Sequence, residues 1–306
     1  STVQRVIGTE CRKPTELRHF SSSILTNTEL PGYSCDPRPG FEILLRARPG
    51  FTARRELFMK IRYLVAAAVF ALTAGTAQAE TLKVGSTATG IPFTFLDVGK
   101  NEITGMMVDV VKAIGNHAGF EPDVQSVDWV SLIPALESGR IDMIAAAMSI
   151  TDARKKVVDF SDPIFPYGEG LVVRADDDTR YSADLHETVG KVIGVQQGTN
   201  FHKVLEARKG IGEIKVYENI ADIMRDVQLG RIAVGLADYP IMSYQIGIGK
   251  FPDLKMVEGY ESQISAPIGV AIKKGQPELL ARINAGLATI KENGELDALA
   301  KKWKLN

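Results

Sequence analysis

This sequence predicts a mixed α/β fold of two lobes joined by a two-strand hinge, with a ligand cleft between them. Three observations point there. From Thr81 onward, short apolar runs alternate with amphipathic stretches, the pattern of sheets covered by helices on both faces. The alternation is interrupted at 164–173, a strand-like run broken by Pro166 and Gly168, and then resumes. Near the end, a strand-like run at 265–272 precedes two helical stretches, so the chain returns to the lobe in which it began. Lobe 1 is expected at 80–165 plus 267–306, lobe 2 at 169–264, and the hinge at 164–170 and 261–267. Two crossings between lobes permit closure around a ligand.

In order, lobe 1 opens with a strand at 82–85, a loop from Thr87 to Pro92 and a helix at Met106–Ala118. A strand at 122–126 leads to a helix at 129–137, ended by Ser138-Gly139. A buried strand follows at 141–147, and the loop after it holds Ser149 and Arg154. Lobe 2 repeats the alternation. A strand at 191–195 precedes Gln196-Gln197-Gly198-Thr199-Asn200 and a helix to about Lys209, and a strand at 214–217 precedes a helix at 220–228. A strand at 232–236 then leads to Asp238 and a helix from Tyr239. Helices at 277–292 and 295–302 close lobe 1.

The 306 residues carry 36 Lys and Arg against 37 Asp and Glu, a net charge of −1 that gives no reason to expect nucleic acid or an anionic membrane surface as partner. The balance is uneven along the chain. Residues 80–306 hold 25 Lys and Arg and 31 Asp and Glu, a net of −6, which is a surface unsuited to polyanions. Met59-Lys60-Ile61-Arg62-Tyr63, the apolar run 64–74 and Ala77-Gln78-Ala79 read as a signal peptide at 59–79, cleaved before Glu80. The apolar run falls short of the ~20 residues a spanning helix needs. Residues 1–58, rich in arginine and in Pro-Gly pairs such as Pro31-Gly32 and Pro49-Gly50, show no sustained periodicity. They read as a non-native or disordered upstream segment with Met59 the true start. The competing reading is a genuine extension linked through Cys11 and Cys35, the only two cysteines in the sequence. Beyond that segment no cysteine remains, which excludes thiol catalysis and Cys-ligated zinc there. His117, His186 and His202 lack metal-ligand spacing, so neither metal nor cofactor is expected.

Arg154 is the most telling residue, because it follows a buried strand, where an open α/β sheet presents its ligand groups. A guanidinium fork matches a carboxylate bidentately, and the Ser149 hydroxyl adds a hydrogen bond beside it. Asp238 also follows a strand. A cation on one lobe and a carboxylate on the other are what a zwitterionic α-amino acid needs from its container.

The chain resembles a known family over about 81–303. The quotable segments are Ile91-Pro92-Phe93-Thr94-Phe95, Asp128-Trp129 with Leu132-Ile133-Pro134-Ala135-Leu136, and Ser149-Ile150-Thr151-Asp152-Ala153-Arg154-Lys155-Lys156. They continue with Val158-Asp159-Phe160-Ser161-Asp162-Pro163, Gly194-Val195-Gln196-Gln197-Gly198-Thr199, Ala237-Asp238-Tyr239-Pro240 and Asn293-Gly294 with Lys301-Lys302-Trp303. In this order they are similar to the periplasmic solute-binding proteins of polar amino-acid ABC importers, extracellular solute-binding family 3. The resemblance implies the type II periplasmic-binding fold, a monomer, a free amino acid as ligand and an inner-membrane permease as partner. It further implies that Arg154, aided by Ser149 and the backbone near Ala147, takes the ligand's α-carboxylate. Thr199 and Asn200 cap that carboxylate from lobe 2, where a helix N-terminus independently favours an anion. Asp238 takes the α-ammonium, and Trp129 is a platform for the side chain.

Blander roles compete with these. Arg154 is one of many arginines that solvent alone could satisfy, Asp238 could N-cap the helix at Tyr239, and Trp129 could be ordinary core. The sequence departs from basic-amino-acid binders after strand one, where Thr87 and Gly90 stand in place of an acidic and an aromatic residue. An unpaired buried cation is costly, so the expected ligand is neutral and polar, with Gln196 a candidate side-chain partner. The rival function is an enzyme on the same scaffold, cyclohexadienyl dehydratase-like, for which Glu169 and Asp238 are the available acids. Neither has an identifiable acid-base partner in sequence, so binding without catalysis is the expectation.

Overall fold

The computed structural model describes residues 79–305. The upstream segment, the body of the signal peptide and the Cys11–Cys35 linkage lie outside the described residues. No helix among the described residues is long and apolar enough to cross a membrane.

In chain order the first half holds β1 (Glu80–Ser86), β2 (Thr89–Gly90), β3 (Thr94–Asp97), β4 (Glu102–Thr104), α1 (Met106–Ala118) and β5 (Phe120–Ser126). A 3-10 turn at Trp129–Ser131 runs into α2 (Leu132–Glu137), followed by β6 (Met143–Ser149), α3 (Asp152–Lys155) and β7 (Val158–Phe160). The next part holds β8 (Glu169–Arg174), β9 (Val192–Gln196), α4 (Asn200–Ala207), β10 (Glu213–Tyr217), α5 (Ile220–Gln228), β11 (Val234–Asp238), α6 (Tyr239–Gly247) and β12 (Leu254–Met256). The chain ends in β13 (Ile268–Lys273), α7 (Pro277–Glu292) and α8 (Glu295–Lys302).

Two five-stranded sheets result, ordered β5-β1-β6-β13-β7 and β10-β9-β11-β8-β12, with β2-β3-β4 a small third sheet. The first is parallel through β5, β1 and β6, and the second through β10, β9 and β11. Neither is wholly parallel, as the alternating pattern alone suggests. The strands flanking the crossings run against their neighbours: β13 is antiparallel to β6 and β7, and β8 is antiparallel to β11 and β12. A propensity reading has no access to strand direction.

The crossings lie side by side. Ile164 N–H donates to Ile268 O at 2.8 Å, Ile268 N–H to Phe165 O at 3.0 Å and Ala266 N–H to Tyr167 O at 2.9 Å. One apolar cluster gathers α1 and α7 against the first sheet and α5 and α6 against the second. Separate clusters fill the opposite faces, Leu132, Leu136 and Ile144 on the first sheet, and Leu185, Phe201 and Leu205 on the second. Phe93, fully buried, meets Phe165 edge-on at 6.0 Å and Tyr167 at 5.2 Å between ring centres, so the crossings pack against the loop after β2.

Several bounds differ from the sequence expectation in ways that matter for function. The third strand of the first sheet starts and ends two residues later than 141–147, so Ser149 ends β6 and is not in the following loop, and Arg154 sits on the one-turn helix α3. The helix expected at 129–137 begins as a 3-10 turn, which sets Trp129 ahead of α2. The strand expected at 232–236 lies at β11 and reaches Asp238 itself. The small β2-β3-β4 sheet was not legible, its strands being two to four residues long.

Gly105 precedes α1 with φ 131°, and a Cβ there would press into the Phe93 carbonyl. That carbonyl accepts the Met107 N–H at 3.0 Å and the Pro92 carbonyl accepts the Met106 N–H at 2.9 Å, so two free amides of α1 are satisfied by this turn. Gly105→Ala is therefore expected to cost more than ~1 kcal/mol, a drop of at least about 2 °C in melting temperature by calorimetry. An unchanged melting point would show that the turn tolerates a side chain.

Candidate ligand-binding site

The two sheets aim the ends of β1, β6, β9 and β11 at one cavity. From the first sheet's side it is lined by Thr87, Thr89, Gly90, Phe93 and Thr94 in the β1–β3 loops, by Trp129, and by Ala146 and Ala147 of β6. Facing them are Tyr167, Gln196, Ile220, Asp238 and Ile241. The walls meet at the rim. A Cβ on Gly198 would lie 3.2 Å from Val130 Cγ1 and 3.7 Å from Trp129 Cδ1, and one on Gly90 would lie 3.6 Å from Ile241 Cδ1. This is a closed arrangement.

Six of the ten residues singled out from sequence lie on the lining: Thr87, Gly90, Trp129, Ala147, Gln196 and Asp238. Ser149, Arg154, Thr199 and Asn200 stand outside it. Arg154 is held at its edge: its guanidinium lies 5.3 Å over the Trp129 ring, and one Nη donates to the Ser149 carbonyl at 2.9 Å. Thr151 Oγ1 accepts the Arg154 N–H at 3.3 Å and so starts α3 where the arginine needs to be. Thr199 is buried and caps α4, accepting from His202 N at 3.1 Å and donating to Gln196 O at 2.8 Å. Asn200 is the first residue of that helix.

Ala147 adopts φ 52°, the left-handed region, inside a strand and while buried. Such a conformation costs ~1 kcal/mol or more and persists only where the surroundings dictate it. Here β6 parts from β1 after Ile144, and its register with β13 shifts between Gly269 and Ala271. The bulge takes Ala146 and Ala147 out of the ladder at the cavity wall.

Asp238 is half-buried at the end of β11, and its side chain does not cap α6, so the capping alternative does not describe it. Burial is the largest influence on it and raises its pKa from 3.8 to about 6, while the Tyr167 hydroxyl and the Arg154 charge oppose that rise and Glu169 adds to it. The same burial lowers Arg154 from 12.5 to about 10, with Asp238 pulling it back up. The two groups therefore sense each other across the cavity while neither is fully neutralised. Tyr167 is buried and its pKa is pushed well up, first by burial and then by Asp238. Trp129 serves in both of its readings, as a partly buried neighbour of the first sheet's second core and as a wall of the cavity.

The uncharged part of the lining is specific. Thr87 and Thr94, both buried, share a hydrogen bond of 2.8 Å between hydroxyls, leaving one proton and lone pairs for a guest. Gln196 donates Nε2 to Glu218 O at 2.9 Å, and its carbonyl oxygen has no hydrogen-bond partner among the described residues. Phe93, Tyr167, Thr94, Ile220 and Ile241 were missed in the sequence. Only their position across a sheet or loop identifies them, and no motif marks it. His186, read as an ordinary surface residue, lies 2.9 Å from Asp184 and 3.3 Å from Glu187. These carboxylates raise its pKa, the Asp184 hydrogen bond most.

A family model described as bacterial extracellular solute-binding proteins, family 3, matches residues 82–306. The L-cystine-binding protein TcyJ of Escherichia coli (strain K12) is 32% identical over 225 residues, covering 73% of this chain and 82% of that protein. Among solved structures, an ancestral arginine-binding protein bound to glutamine is similar with a TM-score of 0.68 and 33% identity, over 74% of this chain and 98% of its own. The ancestral amino acid-binding protein AncCDT-1, described as a precursor of cyclohexadienyl dehydratase, has a TM-score of 0.66 and 32% identity, over 73% and 95%. These neighbours share the two-lobe periplasmic binding fold.

The sign of the Asp238 shift gives a stability prediction. A carboxyl whose folded pKa is raised holds its proton longer folded than unfolded, so its ionisation weakens the ligand-free protein as pH climbs from about 4 through 6. A rise of about two units corresponds to on the order of 3 kcal/mol. Asp238→Asn is expected to remove that decline and to exceed wild type in stability at pH 7, as read from urea midpoints at pH 4 to 7. Equal slopes for the two proteins would contradict the assignment.

Proposed function

Because the chain belongs to the bacterial extracellular solute-binding proteins of family 3, we propose that it captures one free L-amino acid with an uncharged, hydrogen-bonding side chain and hands it to the permease of an ABC importer. The observation that carries this reading is a count of charges. Among the described residues lining the cavity, Asp238 is the only charged side chain, and Arg154 waits at the edge. A zwitterion uses both. An arginine or lysine ligand would bring a second cation with no second carboxylate to meet it, and the position at which basic-amino-acid binders carry an acid is Thr87.

In this reading the carboxylate docks on Arg154, Ser149 and the unladdered backbone at Ala147, while Thr199 and Asn200 bring the start of α4 to the same oxygens. Asp238, steadied by Tyr167, takes the ammonium. Trp129 and the Thr87, Thr94 and Gln196 groups meet the side chain. Closure bends the crossings at 164–170 and 261–267 and expels water, which strengthens each charged pairing. The protein acts outside the inner membrane as a monomer, after cleavage of its leader before Glu80.

One observation favours a second reading. Asp238 titrates near neutral pH, which suits a proton donor, and AncCDT-1 is a dehydratase precursor. Against it, Glu169, the other acid named from sequence, is 2% exposed, engaged by the 260–264 segment and not part of the cavity lining. Incubation with prephenate and arogenate without aromatic product is the expected outcome.

The test of the main reading is calorimetric titration against the common amino acids and L-cystine. A neutral polar ligand is expected to bind tightest, and Arg154→Ala to lose ~2–5 kcal/mol of binding. Arginine or lysine binding well above every neutral candidate, or an alanine variant within a few-fold of wild type, would refute it.

A further inference from the structure

Glu169 is the first residue of β8, where the chain enters the second sheet, and it is 2% exposed. No Lys, Arg or His among the described residues forms an ion pair with it. Its carboxylate instead collects hydrogen bonds from the returning crossing: Tyr260 Oη at 3.2 Å, Ser262 Oγ at 2.5 Å, the Gln263 N–H at 2.6 Å, and the Ile264 N–H at 3.1 and 3.0 Å to its two oxygens. A buried carboxylate without a counter-cation is tolerable only when donors converge on it in this way. The crossings are also in close contact here, since a Cβ on Gly168 would lie 2.6 Å from Ser262 Oγ.

The same residue has a second neighbour. Glu169 is paired with Asp238 across the antiparallel β8–β11 ladder, so both side chains leave the same face of the sheet, and Tyr167 lies two residues earlier in the crossing. The Tyr239 N–H, next after Asp238, donates to Gly168 O at 3.0 Å. One short stretch, Tyr167–Glu169, thus touches the ammonium acceptor with one set of groups and holds the return strand with another.

We infer that Glu169 is a positioning residue for ligand capture: by tying segment 260–264 to the start of β8 directly beside Asp238, its carboxylate couples the bending of the crossings to the setting and charge of the ammonium acceptor. This inference rests on the assignment of Asp238 to the ligand ammonium. Asp238 is faced by Tyr167 and Glu169 from the crossing and β8, and by Arg154 from α3. Glu169 is faced by Tyr260, whose own pKa is raised first by burial and then by Glu169, with Arg208 opposing.

Glu169→Gln keeps the shape, removes the charge and turns one acceptor into a donor facing donors. The tightest ligand of wild type, found in a panel of the common amino acids and L-cystine, is titrated into wild type, Glu169→Gln and a Tyr260→Phe/Ser262→Ala double variant from pH 5 to 8. Wild-type affinity is expected to fall on acidification as Asp238 gains its proton. In Glu169→Gln, affinity at pH 7 is expected to drop tenfold or more, and the acid fall-off to move to lower pH, because Asp238 has lost a like-charged neighbour. The double variant, which weakens the tether and keeps the charge, is expected to lose affinity at least threefold with the fall-off unmoved. Affinity within twofold of wild type in either variant overturns the inference, as does a Glu169→Gln loss with no shift of the fall-off, the mark of a merely structural residue. Should Glu169→Gln not fold, the double variant decides by the same threshold. Asp238→Asn separates the two claims: wild-type binding by that variant, or no binding of the panel by wild type, defeats the ligand assignment itself. When Asp238→Asn fails to bind and wild type binds, the Glu169 variants alone decide the tether.

Discussion

Two opposite charges are buried near one cavity and kept apart, and this constraint runs through the rest of the structure. Arg154 and Asp238 each carry the cost of burial, visible as shifts of both pKa values towards their neutral forms, and each only partly relieves the other. Had they closed into a direct ion pair, the cavity would be satisfied and have little use for a guest. Held as they are, with Arg154 over Trp129 and Asp238 beside Tyr167, they store an unmet demand that a zwitterion answers at both ends. The instability attributed to Asp238 and the affinity attributed to it are then one electrostatic quantity seen without and with ligand.

The fold supplies that separation by local irregularities. β6 is a buried strand parallel to β1 until Ile144, where it leaves β1, and at the left-handed Ala147 it bulges out of the ladder with β13 before Met148 and Ser149 rejoin it. The break puts Ser149 and the turn of α3 where Arg154 folds back onto the Ser149 carbonyl. On the other side, β11 runs regularly to its last residue, so Asp238 is fixed by sheet geometry and its partner across the ladder is the residue that binds the second crossing. One charge stands on the short helix that follows the bulged strand and the other on a regular strand end, and the crossings connect the two sheets.

The two-lobe organisation and the residues that follow strand ends were legible in the sequence because both follow from periodicity: apolar runs of five to seven residues mark strands, and whatever polar group comes next stands at the sheet edge. Arg154 and Asp238 were found that way. Tyr167 was not, because its relation to Asp238 depends on which strand lies beside β8, and pairing order leaves no trace in local pattern. Phe93 and the Thr87–Thr94 hydroxyl pair were obscured for a related reason: the small sheet that brings them together has strands too short to show alternation. The antiparallel entry of β8 and β13 was likewise beyond reach, since propensity carries no direction.

Selectivity in such a site is set as much by what is missing as by what is present. In the proposed reading Arg154 and Asp238 serve the amino-acid backbone, so the choice among side chains would fall to the other lining groups, Thr87, Thr94, Gln196, Ile220 and Ile241. A hydroxyl at 87 already hydrogen-bonded to Thr94 can meet an amide, a hydroxyl or a carbonyl by rotating one proton, but it cannot neutralise a cation. With the aromatic position held by Gly90, whose missing side chain lets Ile241 approach, the pocket also lacks one face of a cation sandwich. Both departures push the same way. An acid at 87 would add a second buried carboxylate facing Asp238, and the two would repel. The proposed preference for an uncharged side chain and the absence of that repulsion thus trace to one feature, the single carboxylate among the described residues of the lining.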